Sequence, residues 1–197
     1  MKNKIAVTIL LILTVQWVFG QKTDENTVKK SFENYKSAIL NDKGEEAVLY
    51  VDSRTIKYYS EILELVKKAD SSKIETLNIL DKLMVFTIRH RTSKEDILRF
   101  EGKSLLVYAI KSGMVGKNSV VNASLGEVVI NNDFAKGQFM TNGQKTPFYF
   151  HFYHEEGQWK IDLTSLFPAS TAAFKKMADD SGENQNDYLF ALLEMIT

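Results

Sequence analysis

The sequence predicts an α+β fold in which N-terminal helices pack on a curved antiparallel β-meander of about four strands, with a C-terminal helical extension. Three observations predict it. From Val28 to about Lys111 apolar residues recur at the 3.6-residue helical spacing. From Ser119 onward the period falls to two, the mark of strands with one buried face. The stretch Phe148–Leu163, reading FYFHFYHEEGQWKIDL, then places two alternating runs around Glu156-Gly157, the strongest hairpin signal in the chain. Five of the six residues from Phe148 to Tyr153 are aromatic, an apolar load that only a packed interior or an interface absorbs.

A chain of 197 residues supports one full core. The expected division is a signal peptide over 1–20, an α+β domain over 21–170 and the helical extension over 171–197. Lys2 and Lys4 precede an apolar run from Ile5 to Phe19, and Val18-Phe19-Gly20 offers a cleavage point before Gln21. The rival reading is a retained anchor, for which the run falls short of the ~20 residues that span a bilayer. Cleavage removes two of the 25 basic side chains and leaves 23 against 25 acidic ones. The product is exported, periplasmic or extracellular, without a stable membrane span. That balance supplies no field for nucleic acid or anionic membrane. The absence of cysteine excludes disulfides, thiolate metal sites, cysteine nucleophiles and attachment of lipid through an N-terminal cysteine. Three scattered histidines and no phosphate, dinucleotide or zinc-protease motif leave no metal or cofactor to expect.

In order, Val28, Phe32, Tyr35 and Ile39 form the stripe of a first amphipathic helix, stopped by Asn41-Asp42-Lys43-Gly44. Ser53 is the expected N-cap of a second helix that carries Ile56, Tyr59, Leu63 and Val66. A third runs from about Lys73 to Arg89, with an apolar stripe broad enough to make it the most buried. Thr92-Ser93-Lys94-Glu95 reads as a capping box for a fourth, with Gly102 as a break inside it. Strands follow over Val121–Ile130, with a bulge at Gly126-Glu127, over Phe134–Thr141, and over the two arms of the hairpin, with Asn142-Gly143 as a type I′ turn. Thr164 or Ser165 caps a closing helix interrupted by Pro168. Asp179–Asp187 reads as a polar linker, and Tyr188–Ile196 as a last helix that covers the domain's own sheet or swaps to a partner.

Alternation also sets the hairpin register. A two-residue turn opposes Phe152 to Ile161 and His154 to Trp159, with every large apolar residue on one face. A three-residue turn would bury Lys160 and Asp162 beside phenylalanines, at a cost of several kcal/mol. The favoured register puts Tyr149, His151, Tyr153, Lys160 and Asp162 on the opposite face, with His151 across from Asp162. A carboxylate beside an imidazole is the pattern of a general acid–base dyad, and equally of an ordinary cross-strand pair. Arg89-His90-Arg91 is a small basic cluster that suits either an anion or a helix C-terminus.

Helices followed by a meander that ends in Glu156-Gly157-Gln158-Trp159-Lys160-Ile161-Asp162 resemble the nuclear transport factor two-like superfamily, whose exported bacterial branches carry a closing hairpin of the form acidic-Gly-polar-Trp-Lys-Ile. Gly44 and Ala47–Asp52 after the opening helix are similar too, and the resemblance covers residues 27–167. It implies a cone, with a helix-lined pocket inside a bent sheet. Members include isomerases, dehydratases, cyclases and non-catalytic binding or assembly modules. The enzymes place Asp, His or Tyr inside the cone, whereas the face expected to line it here is phenylalanine, tryptophan and aliphatic.

Three functional readings follow. The first is an exported non-catalytic module that binds a small apolar ligand or a protein partner, with Tyr149, His151, Tyr153, Lys160 and Asp162 as the candidate contact residues. The second is an isomerase- or cyclase-like enzyme using His151 and Asp162. The third is a structural homodimer paired through the sheet.

Overall fold

Four strands, β1 (Ala123–Asn131), β2 (Phe134–Thr141), β3 (Gln144–Glu155) and β4 (Gln158–Asp162), form an antiparallel meander in sequence order, and helices precede and follow them. The structure, a computed structural model, describes residues 24–115 and 117–195. The signal peptide or anchor expected over residues 1–20 lies outside them, as does Ile196 at the end of the last helix. No described helix is long and apolar enough to cross a membrane.

The α+β expectation holds, and the hairpin register is the predicted one: Phe152 opposes Ile161, His154 opposes Trp159 and His151 opposes Asp162. Glu156 and Gly157 adopt φ of 54° and 80°, the left-handed pair that a two-residue turn requires. The bulge falls between Leu125 and Val128 as expected.

Residues 24–40 form α1, and its predicted stripe of Val28, Phe32, Tyr35 and Ile39 is buried. Three contacts fix its course. Ser31 Oγ donates to the carbonyl of Trp159 on β4 (2.5 Å), the Phe32 ring lies 5.4 Å from that of Phe150 on β3, and Lys36 Nζ donates to the carbonyl of Ala123 on β1 (2.7 Å). Helix α1 therefore crosses the sheet from one edge to the other and closes over its apolar face.

Helix α2 (Gly44–Ala47) and a single 3₁₀ turn, Val48–Tyr50, lead to Val51, which bridges in parallel to Ile161 and so pins the chain to the free edge of β4. Helix α3 (Ser53–Lys68) starts there. Its N-cap is Asp52, whose carboxylate accepts from the amide of Thr55 (2.9 Å), not Ser53 as expected. Both are good caps, and the pinning at Val51 puts Asp52 at the boundary.

The helix expected over Lys73–Arg89 is two: α4 (Ser71–Glu75) and α5 (Ile79–Arg91). Asn78 divides them, because its side chain accepts from the amides of Leu80 and Asp81, each at 3.0 Å, and starts a new helix. The cap before α6 (Lys94–Arg99) is Ser93 paired with Asp96, one residue beyond the predicted box; Thr92 Oγ1 is buried without a partner among the described residues. Helix α7 (Gly102–Lys111) begins at the glycine read as a break. A Cβ there would lie 2.1 Å from Ser60 Oγ, so Gly102 also lets α7 approach α3 closely.

After β4 a 3₁₀ turn (Leu163–Leu166) enters α8 (Phe167–Ser181) directly. Pro168 stands in its first turn, where a missing donor costs nothing, and does not interrupt it. The expected 179–187 linker is mostly helical: α8 ends at Gly182, and α9 (Gln185–Met195) begins three residues later. Helix α8 also runs through the expected boundary at residue 170. Leu189 of α9 and Ala178 of α8 pack with Ile79, Leu83 and Phe86 of α5, so the last helix covers α5 and not, as expected, the sheet.

Asp52→Ala should lower the unfolding free energy by about 1–2 kcal/mol through loss of the cap, and Ser53→Ala by less. Urea denaturation of the two variants checks this; the reverse order would restore Ser53 as the cap.

Candidate binding face of the sheet

The face turned away from α1 is assembled by register. Val129 pairs with Lys136, Lys136 with His151 and His151 with Asp162; in the next row Phe134 pairs with Tyr153, and Tyr153 with Lys160. All five candidates from the sequence therefore share one side of the sheet, Tyr149 by strand parity with His151.

Their chemistry is not that of a dyad. The His151 ring stands edge-on to Phe134, 5.2 Å between centroids. Asp162 is buried, and its carboxylate accepts from the amide (2.9 Å) and hydroxyl (2.5 Å) of Thr164. It lies at the point where β4 turns into the 3₁₀ segment, and it caps that segment. What joins His151 to this corner is backbone: its amide donates to Ser165 Oγ (3.3 Å), which donates to the carbonyl of Asp162 (2.6 Å). Lys160 pairs with Glu156 of the turn. Among the described residues no group of three or more His, Asp or Glu is placed to hold a metal ion.

Two cations overlie the tyrosines. The guanidinium carbon of Arg54 sits 3.4 Å from the Tyr153 ring centroid, and Lys136 Nζ 4.1 Å from that of Tyr149. Each cation–ring contact contributes about 0.5–1 kcal/mol at such an exposed place. Arg54 is also held by Asp52 (3.3 Å) and Glu155 (3.4 Å), and Glu155 accepts from the amide and hydroxyl of Ser53. The start of α3 is thereby tied to the β3–β4 hairpin, and Tyr153 is clamped beneath the tie. Val129 is 59% exposed, Phe148 42% and Tyr149 37%. Phe148, counted in the sequence with the buried aromatic run, is therefore partly in solvent.

Phe134 and Lys136 were reachable by carrying the alternation across the Asn132-Asp133 turn. Arg54 was not: it comes from a helix, and no strand pattern signals it. The basic cluster resolves into a cap, since Arg89 donates to the carbonyls of Val66 (3.0 Å), Leu65 (3.2 Å) and Ala69 (2.6 Å) at the end of α3.

No protein-family model and no curated protein matches the chain. Among solved structures, a phospholipid-binding protein from Ralstonia solanacearum, determined with a phospholipid bound, aligns over 87% of this chain and 93% of its own at 12% identity, with a TM-score of 0.32. Similarity at that level transfers neither fold nor ligand.

Asp52 lies beside this face with a perturbed carboxyl. Burial pushes its carboxyl above the ordinary 3.8, and the neighbouring Asp162 adds to the rise, against the bonds from Thr55 and Arg54. The folded chain thus holds this proton more tightly than the unfolded one, so stability falls as pH climbs from about 3.8 through the raised value. Asp52→Asn keeps an N-cap acceptor and removes the charge. The stability of wild type minus that of Asp52→Asn, measured in urea from pH 3.5 to 7, should therefore decrease with pH and then level; a difference that grows with pH refutes the assignment.

Proposed function

We propose that the chain is an exported, non-catalytic interaction module of the nuclear transport factor two-like kind, which engages a protein partner through the outer face of its sheet. One observation carries the reading. The inner face is filled by the chain's own side chains, whereas Val129, Lys136 and Tyr149 remain in solvent on the other side. Phe32, Phe150, Phe152 and Ile161 occupy the space between α1 and the sheet, all of them buried, which favours a protein partner over a small apolar ligand inside the cone.

The composition of the outer face supports this choice. Tyrosine and arginine are over-represented among residues that dominate binding energy. Rings already fixed by Arg54 and Lys136 lose little side-chain freedom on docking, which lowers the entropic opposition to association. The enzyme reading draws no support from His151 and Asp162, whose side chains engage Phe134 and Thr164. The helices-then-meander order and the Glu156–Asp162 hairpin support the family, and the Lys2–Gly20 leader supports export.

A photo-crosslinking residue, p-benzoyl-phenylalanine, placed at Tyr149 tests the surface, with Lys57 on the exposed side of α3 as control position. Irradiation in the exporting host should give a discrete adduct at 149 that is missing at 57. An adduct of twice the chain's mass identifies a second copy as the partner. No adduct at 149, or the same adducts from both positions, overturns the proposal.

A further inference from the structure

A concavity lies on the side of the hairpin that bears His154 and Trp159, between the first turns of α1, Tyr50 and the β3–β4 turn. Its volume is about 390 Å³, within the roughly 300–1,000 Å³ usual for small-molecule sites. It differs from the outer face in both shape and chemistry: it is concave, and polar groups from three separate elements converge on it.

Several of those groups have unmet bonding capacity. Asn34 Nδ2 donates to Tyr50 Oη at 3.2 Å, so the tyrosine oxygen accepts and its own proton has no acceptor among the described residues. Lys30 is exposed in the lining, and its ammonium has no carboxylate partner among the described residues. Asp24 is also in the lining; its backbone carbonyl accepts from Thr27, while its carboxylate makes no ion pair among the described residues. The two charges lie six residues apart on α1, about 9 Å along the axis at 1.5 Å per residue, and they do not pair with each other. The wall beside them is aromatic, with the His154 ring edge-on to Trp159 at 5.2 Å.

Opposite charges that face one cavity without meeting select against simple ions. A plain carboxylate would be repelled by Asp24, and a plain amine by Lys30. A ligand that carries both groups satisfies both, and its carboxylate can also accept a hydrogen bond from the Tyr50 hydroxyl.

We propose that this cavity binds a small zwitterion of the amino-acid type, its carboxylate held by Lys30 and Tyr50 and its ammonium by Asp24. The site is independent of the outer sheet face and stands or falls separately from the protein-partner reading.

The chain has two tryptophans, so in a Trp17→Phe background emission reports on Trp159 in the cavity wall. Each of the proteinogenic L-amino acids is titrated singly into the full-length chain and followed by calorimetry and by that emission. At least one should bind. Lys30→Gln and Asp24→Asn should each weaken it roughly tenfold or more, the effect of losing one bond to a charged group. Both positions are exposed, so the variants should keep the wild-type melting curve. The N-acetyl form of the bound amino acid, which lacks the ammonium, should bind wild type more weakly than it binds Asp24→Asn, where the repulsion of its carboxylate is removed. The proposal is overturned if no amino acid produces heat or an emission change. It is overturned equally if binding survives either charge substitution unweakened in a protein that melts normally.

Discussion

A β-strand changes face at every residue, so a slip of one position between β3 and β4 would carry Lys160 and Asp162 to the side of Phe150 and Phe152 and turn Trp159 and Ile161 toward water. Burying the two charges alone would cost several kcal/mol. The fold depends on that parity being held. It is held from the turn, where Glu156 and Gly157 sit in the left-handed region and leave room for two residues only. It is held again from the far edge, where the Asp52 amide donates to the carbonyl of Ile161 (3.0 Å) and Thr55 Oγ1 accepts from the amide of Leu163 (3.0 Å). One register thus creates both surfaces: the apolar one that α1 covers and the mixed one that it does not.

The same edge explains why a buried aspartate is tolerated at position 52. It lies at a helix N-terminus, where unpaired amides and the macrodipole favour an anion, and Arg54 returns from the first turn of the helix to face it. The arrangement is only partly compensating, since burial still drives the carboxyl upward. What the chain gains is position. Asp52 and Glu155 hold Arg54 over the Tyr153 ring, so a junction needed for packing also orients a ring on the outer face.

Legibility in the sequence followed the range of the interaction. The stripe of α1 and the hairpin register were readable because periodicity and parity are local and their violation is expensive. The Asp52 cap was missed by one residue because Ser53 caps nearly as well, and the deciding contact, Val51 to Ile161, joins positions far apart in sequence. Helix α5 misled in a more instructive way. Its broad apolar stripe reads as deep burial, yet it is two faces: Val85 and Ile88 join the main core, while Ile79 packs with Ala178 and Leu189 in a second cluster. A one-dimensional stripe cannot separate those cases, and so the place of α9 was illegible. In the candidate site the opposition of His151 and Asp162 could be read from the register. The turn of the Asp162 carboxylate toward Thr164 could not, because it depends on how the chain leaves β4.

The cations on the outer face bear on what kind of partner suits it. An exposed pair of Val129 and Tyr149 without them would be a general apolar patch, prone to unselective contact. With Lys136 over one tyrosine and Arg54 over the other, an apolar surface must either displace the cations or leave their polar edges without water. A partner that offers hydrogen-bond acceptors beside its apolar groups meets neither obstacle, because it can bond to the ammonium and guanidinium where they already lie. The edge of the sheet is guarded in a similar way: the bulge at Gly126-Glu127 breaks the line of β1 and sets a charge on it, which discourages strand-to-strand pairing. Under the proposed reading, face-on recognition by a surface with acceptors is the mode that this sheet leaves open, and its selectivity would come from the same contacts that keep the rings in place.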